Sequence, residues 1–191
     1  MSSPHLPELR PLPYHHPDAQ RLIADVQQEY VRRYGGPDQT PVDTEEFNPP
    51  NGTFVLLYAD GQPVAMGGWR LAAPYPGFRE DSANPRRSKS RDANSDPAHP
   101  DPAHRPPKGR IAEIKRMYVI PAGRGRGYAR VVLAHLERTA ADAGANWLVL
   151  ETGDMQPEAI GLYESTGYTP VPPFGHYANA EGSIHLGKRL R

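Results

Sequence analysis

Thirty consecutive residues, Arg79 to Lys108, contain no Val, Ile, Leu, Met, Phe, Trp or Tyr. Six of them are proline, twelve are charged, and four alanines are the only apolar side chains. Such a segment cannot bury enough surface to offset the entropy of ordering it. Any core must therefore come from the residues on its two sides. A short internal duplication, Asp96-Pro97-Ala98-His99-Pro100 followed by Asp101-Pro102-Ala103-His104, adds low complexity. His99 and His104 lie five apart with no helix to align them, which makes a poor metal pair, and no metal is expected. Both flanks carry strand-like sequence, and 191 residues suit one domain. The expectation is a single domain over 1–191 with an exposed insertion at 79–108.

Composition removes several classes of function. Basic and acidic residues balance at 22 each, so the broad positive field of a nucleic-acid binder is missing. There is no cysteine, which excludes disulfides, thiolate chemistry and Cys-based zinc sites. No apolar run approaches the roughly 18 residues of a membrane span. The first twenty residues lack a signal peptide's apolar stretch. A soluble cytoplasmic protein, with no nucleic-acid or membrane partner, fits these facts. A homodimer is left open.

The elements follow from periodicity and punctuation. Glu8 to Tyr14 reads as a short first strand. From Pro17 to Tyr34, Leu22, Ile23, Val26, Tyr30, Val31 and Tyr34 recur at helical spacing and Gly35-Gly36 stop the helix. The Pro-rich stretch to Pro50 has room for one short helix. Thr53 to Ala59 and Pro63 to Leu71 make a hairpin about Asp60-Gly61. Beyond the insertion come a strand over Ile111 to Ile120, a helix over Gly125 to Ala143 and a buried strand over Asn146 to Thr152. A helix from Pro157 to about Thr166 follows, then strands over Tyr168 to Val171 and Ser183 to Leu190. The fold class is α/β: a mixed, mostly antiparallel sheet of about six or seven strands, with helices on both faces and one parallel strand–helix–strand crossover.

Chemistry concentrates where the Ile111 strand meets the next helix. Ala112-Glu113-Ile114-Lys115-Arg116-Met117-Tyr118-Val119 runs into Arg124-Gly125-Arg126-Gly127-Tyr128-Ala129-Arg130. A glycine turn opening a helix offers backbone N–H groups and the positive end of the helix dipole, which suits phosphate. Arg124 and Arg126 add side-chain donors. No Gly-Lys-Ser/Thr follows, so it is not a P-loop, and the match to a dinucleotide fingerprint is poor.

With its flanks this stretch resembles the GNAT superfamily of N-acetyltransferases. Arg124, Gly127 and Ala129 match the superfamily's phosphate loop, Arg/Gln-x-x-Gly-x-Gly/Ala. Leu162-Tyr163-Glu164-Ser165-Thr166-Gly167-Tyr168 is similar to its helix ending in aromatic-Tyr-x-x-x-Gly-aromatic. The two motifs stand in register across residues 111–171. The resemblance implies acetyl-CoA as co-substrate, held by the backbone of Met117, Tyr118 and Val119 and by residues 124–130, and direct transfer to an amine in a ternary complex. It implies Tyr163 as the acid that protonates the departing thiolate. Glu113 occupies the register of the basic glutamate in histone-modifying members, and Glu151, at the end of the next strand, is the competing base. The implied acceptor is a small-molecule or peptide amine. A non-catalytic acyl-CoA sensor and an interaction protein using the insertion are the alternatives.

Two further expectations concern the acceptor side. Residues 1–78 hold nine acidic against five basic residues, with Asp43, Glu45 and Glu46 clustered and Asp25 and Glu29 on the preceding helix. If these line the cleft, a cationic acceptor follows. Trp69 reads as strand packing and His176 as an exposed loop residue.

Overall fold

The structure is a computed structural model and describes residues 6–72 and 109–190. The predicted insertion, with His99 and His104, lies outside the described residues. Seven strands form one sheet: β1 (Glu8–Pro11), β2 (Gly52–Ala59), β3 (Gln62–Leu71), β4 (Ile111–Val119), β5 (Trp147–Gly153), β6 (Thr169–Pro170) and β7 (Ser183–Arg189). Their order is β1-β2-β3-β4-β5-β7-β6. Every neighbouring pair is antiparallel except β4 and β5, which are joined through helix α2 (Tyr128–Asp142). Helix α1 (Pro17–Tyr34) precedes β2, and α3 (Pro157–Ser165) follows β5.

The run Phe54-Val55-Leu56-Leu57-Tyr58 is apolar at every position because the sheet is covered on both sides. Successive side chains point to opposite faces. Val55 and Leu57 join Val132, Leu133 and Leu136 of α2, whereas Phe54, Leu56 and Tyr58 join Leu22 and Val26 of α1. Tyr163 of α3 belongs to the α2 side. Trp69 is buried there and donates its indole N–H to Thr139 at 2.9 Å, so it packs the strand as expected.

Most boundaries fall within one residue of the sequence reading, and two move by three. Helix α2 begins at Tyr128, not Gly125, because Gly125 and Gly127 have φ of +75° and +79°. That left-handed backbone is open to glycine and ends a helix instead of continuing it. The first strand stops at Pro11, where its ladder with β2 runs out at Val55. A short 3₁₀ turn, Thr44–Phe47, fills the Pro-rich stretch. The ends of β3 and β4 lie side by side, with Leu71 opposite Ala112 and the Ala72 N–H on the Ile111 carbonyl at 2.9 Å.

Candidate active site

Strands β4 and β5 pair only over Ile111–Glu113 and Trp147–Val149. Beyond that register they part, and β4 presents an edge of backbone N–H and C=O groups that β5 does not take up. Opposite Met66 to Gly68, β4 also carries an irregularity, with Arg116 at φ +59°. A bulge of this kind re-aims the strand. The gap opens into a cavity of about 730 Å³. Its walls include Ile114 to Val119 from β4, Leu150 to Gly153 from β5, the turn before α2, one side of α3, and the C-terminal half of α1.

Of the residues the sequence singles out, Met117, Tyr118, Val119, Arg124, Gly125, Gly127, Tyr128, Ala129, Arg130, Glu151 and Tyr163 line this cavity. Arg126 does not; it is exposed on the outer side of the turn. Glu113 does not either. It lies on β4 in the paired half, is 1% exposed, and is held by Lys115 Nζ at 2.7 Å and Arg70 Nε at 3.2 Å. Arg70 in turn pairs with Glu46. Of the two candidate bases, Glu151 is the one that lines the cavity.

The turn fits a phosphate ligand. Gly127 caps α2 without a side-chain hydrogen bond, and the first intrahelical bond runs from Val131 N–H to the Gly127 carbonyl. The N–H groups of Tyr128, Ala129 and Arg130 therefore lack helical acceptors. A Cβ built on Gly125 or Gly127 would meet nothing within 4 Å, so the space beside them is open. Arg124 reaches the Val119 carbonyl at 3.2 Å and ion-pairs with Glu29 of α1. Arg130 donates to the Ser165 hydroxyl at 2.8 Å. Unpaired β4 edge, open glycine turn and bare helix N-terminus together suit the extended arm and pyrophosphate of acetyl-CoA.

Acid and base candidates sit on opposite faces of the gap. Tyr163 is on the α2 side, buried, and its phenol is pushed well above its ordinary pKa by that burial. It stays protonated at neutral pH. Leu148 and Leu150 also face α2, so alternation turns Glu151 toward α1. Burial raises the Glu151 pKa above the ordinary 4.5, while Lys115 and a hydrogen bond from Ser183 at 3.2 Å pull it back.

The sequence reading missed the frame that Asp38 and Tyr177 build at the cavity. Asp38, in the loop after α1, ion-pairs with Arg116 and accepts the Tyr177 hydroxyl at 3.0 Å; that hydroxyl accepts Gln39 N–H at 2.8 Å. Two loops and the β4 bulge are thus clipped together at the cavity rim. Tyr34 closes another side: a Cβ on Gly153 would lie 2.2 Å from its hydroxyl oxygen, so any larger residue there would push the Tyr34 ring aside. A Tyr at helical spacing reads as core, and a lone Asp after Pro37 carries no pattern at all. Asp43, Glu45 and Glu46 do not line the cavity; Asp43 and Glu45 are engaged within their own turn and Glu46 by Arg70, which corrects the expectation drawn from them. Glu29 lines it but is shared by Arg33 and Arg124. His176 is exposed and meets the Tyr177 ring edge-on. Among the described residues no His, Asp and Glu group could hold a metal ion, and no helix is long and apolar enough to cross a membrane.

The comparisons with known proteins converge. An "IAA acetyltransferase" of Azospirillum brasilense is 39% identical over 83 residues, 44% of this chain and 54% of that protein, so the chain spans about half the length of that relative. A candidate acyl-CoA N-acyltransferase from Klebsiella pneumoniae has the same fold, with a TM-score of 0.66 over 97% of this chain and 99% of that one at 22% identity. A Salmonella typhimurium protein solved with its cofactor acetyl-CoA superposes with a TM-score of 0.57 over 98% and 95% of the two chains, at 15% identity. The acetyltransferase (GNAT) family profile matches residues 23–168, from the first helix through both motifs and the splayed strands between them, and the chain belongs to that family.

Proposed function

We propose that this chain transfers an acetyl group from acetyl-CoA to a primary amine, with both substrates bound together in the gap between β4 and β5. The observation that carries the reading is the position of Glu151 and Tyr163 on opposite faces of one cavity, beside a turn suited to phosphate. Residues Arg124 to Arg130 would hold the pyrophosphate, and the free edge of Met117 to Val119 the arm. Bound acetyl-CoA supplies the acetyl group as a thioester.

The chain's own groups do the rest. Glu151 takes the proton of the acceptor nitrogen as that nitrogen bonds to the acetyl carbon; its raised pKa makes it a stronger base near working pH. An N–H of Met117 or Val119 is the donor for the developing oxyanion. Tyr163 gives its proton to the sulfur as the carbon–sulfur bond breaks, and a phenol held protonated by burial is ready to do so. Glu113 serves as a structural carboxylate in this reading, since Lys115 and Arg70 already hold it.

Thiol release from acetyl-CoA, measured across a panel of small and peptide amines, tests the proposal. Release that depends on the amine and is lost in Glu151→Gln is expected. Release at one rate with every amine and with none would overturn it.

A further inference from the structure

The antiparallel ladder of β5 and β7 sets His185 directly across from Glu151, and Ser183 across from Gly153. Residues two apart share a face, so Ser183 and His185 both turn toward the Glu151 side. Ser183 lines the cavity, whereas His185 is 6% exposed with the Phe174 ring edge-on at 5.0 Å. Ser183 Oγ lies 3.2 Å from Glu151 Oε1 and 3.1 Å from His185 Nε2. His185 Nδ1 is buried with no hydrogen-bond partner.

From this chain of contacts we infer that Ser183 and His185 are positioning residues that tether one oxygen of Glu151 and set its basicity, leaving the other oxygen for the acceptor. The inference rests on the reading of Glu151 as the base. Donor counting gives the direction. A carboxylate only accepts, so the single hydrogen of Ser183 goes to Glu151. The serine oxygen then accepts from His185, which requires the N–H on Nε2 and leaves Nδ1 as a bare lone pair. The competing arrangement puts the hydrogen on Nδ1, toward the Tyr177 carbonyl, and would leave Nε2 to accept from Ser183 instead. Burial lowers the His185 pKa, so the ring is neutral and carries one N–H. The charged and titratable groups facing Glu151 are Lys115 and Glu113 of β4, Asp38 of the loop after α1, and Tyr30 and Tyr34 of α1. The hydrogen bond on Oε1 comes from Ser183. The positive pull of Lys115 and the Ser183 bond both favour the ionised carboxylate, so the tether opposes what burial does.

The test is a carbon-13 NMR titration of the Glu151 carboxyl in the full chain, which needs no knowledge of the acceptor. Ser183→Ala should raise the titration midpoint by about half a pH unit or more, as loss of a hydrogen bond to a carboxylate does. Ser183→Cys, a weaker donor, should give an intermediate midpoint. His185→Leu should raise it by less than Ser183→Ala, and His185→Gln, which keeps an N–H, should restore it. Nitrogen-15 shifts of His185 should report the Nε2–H tautomer. Acetyl-CoA affinity should be unchanged in all four variants. A midpoint identical in wild type and both Ser183 variants would overturn the tether, and so would an Nδ1–H tautomer turned to the Tyr177 carbonyl, the acceptor that would hold it. Full turnover in Glu151→Gln would instead remove the base assignment, which is a different failure.

Discussion

Strands β4 and β5 run as partners from Ile111 to Glu113 and then separate, and their two halves can be compared residue for residue. In the closed half the backbone groups satisfy each other, and Glu113 is buried between Lys115 and Arg70. In the open half the β4 edge is unclaimed by β5, and Glu151 faces a cavity with one serine on its oxygen. Both carboxylates occupy the α1 face of adjacent strands. What separates them is supply of partners. A buried carboxylate with two cations on it has its oxygens already engaged. One with a single hydroxyl and a distant ammonium has its basicity raised by burial.

The contrast is broken first by exchanging charge for amide on each side. Glu151→Gln should lower kcat by about 10²–10⁴-fold with little change in melting temperature. Glu113→Gln should do the reverse, costing about 3 kcal/mol of stability because Lys115 and Arg70, both largely shielded from water, lose a buried counter-charge. Equal kcat losses with unchanged unfolding curves would erase the distinction. Next in size is the turn at the mouth of the open half. Gly127→Val places a β-branched residue at φ +79° and should cut acetyl-CoA affinity by about 10²-fold in calorimetry while the protein stays folded.

Smaller effects sharpen the picture. Tyr163→Phe should lower kcat by about 10–10³-fold with unchanged acetyl-CoA affinity, provided chemistry limits the rate. The pH profile of kcat/KM should show an acid limb above the ordinary carboxylate value of 4.5, since a group with a raised pKa becomes protonated, and useless as a base, while pH is still falling toward that value. An acceptor amine of low pKa keeps its own titration out of the way. The limb should vanish in Glu151→Gln. The least effect is expected from replacing Ser82 to Arg105 with a short flexible linker. The strand ends Leu71 and Ala112 are already side by side, so melting should shift by the equivalent of about 1 kcal/mol or less.

Most of the architecture was legible because it rests on local signals. The α1 stripe, the Asp60-Gly61 hairpin and the glycines before α2 each carry their geometry in a few adjacent residues. Both family motifs lie within sixty residues of each other, and their register survives in the fold. The choice between Glu113 and Glu151 was not legible. It depends on Arg70, which precedes Glu113 by 43 positions and stands opposite it only because β3 and β4 pair. The acidic early segment misled for the same reason: the partners of Glu46 and Glu29 are Arg70, Arg33 and Arg124, which no linear count of charge can assign. The Asp38–Tyr177 clip spans 139 positions and leaves no periodic trace.

Arg124 is shared between the Val119 carbonyl and Glu29, and this has a consequence for selectivity. An anion arriving at the turn does not meet a waiting cation; it must displace a carboxylate already in place. Binding there is a competition, and its gain is the difference between two ion pairs instead of the whole of one. A singly charged anion has little advantage over Glu29. A pyrophosphate, which can also take the N–H groups of Tyr128, Ala129 and Arg130, holds several contacts that Glu29 cannot reach. In the proposed reading the carboxylate on α1 is a threshold at Arg124, which weak anions do not pass and polyvalent ones do.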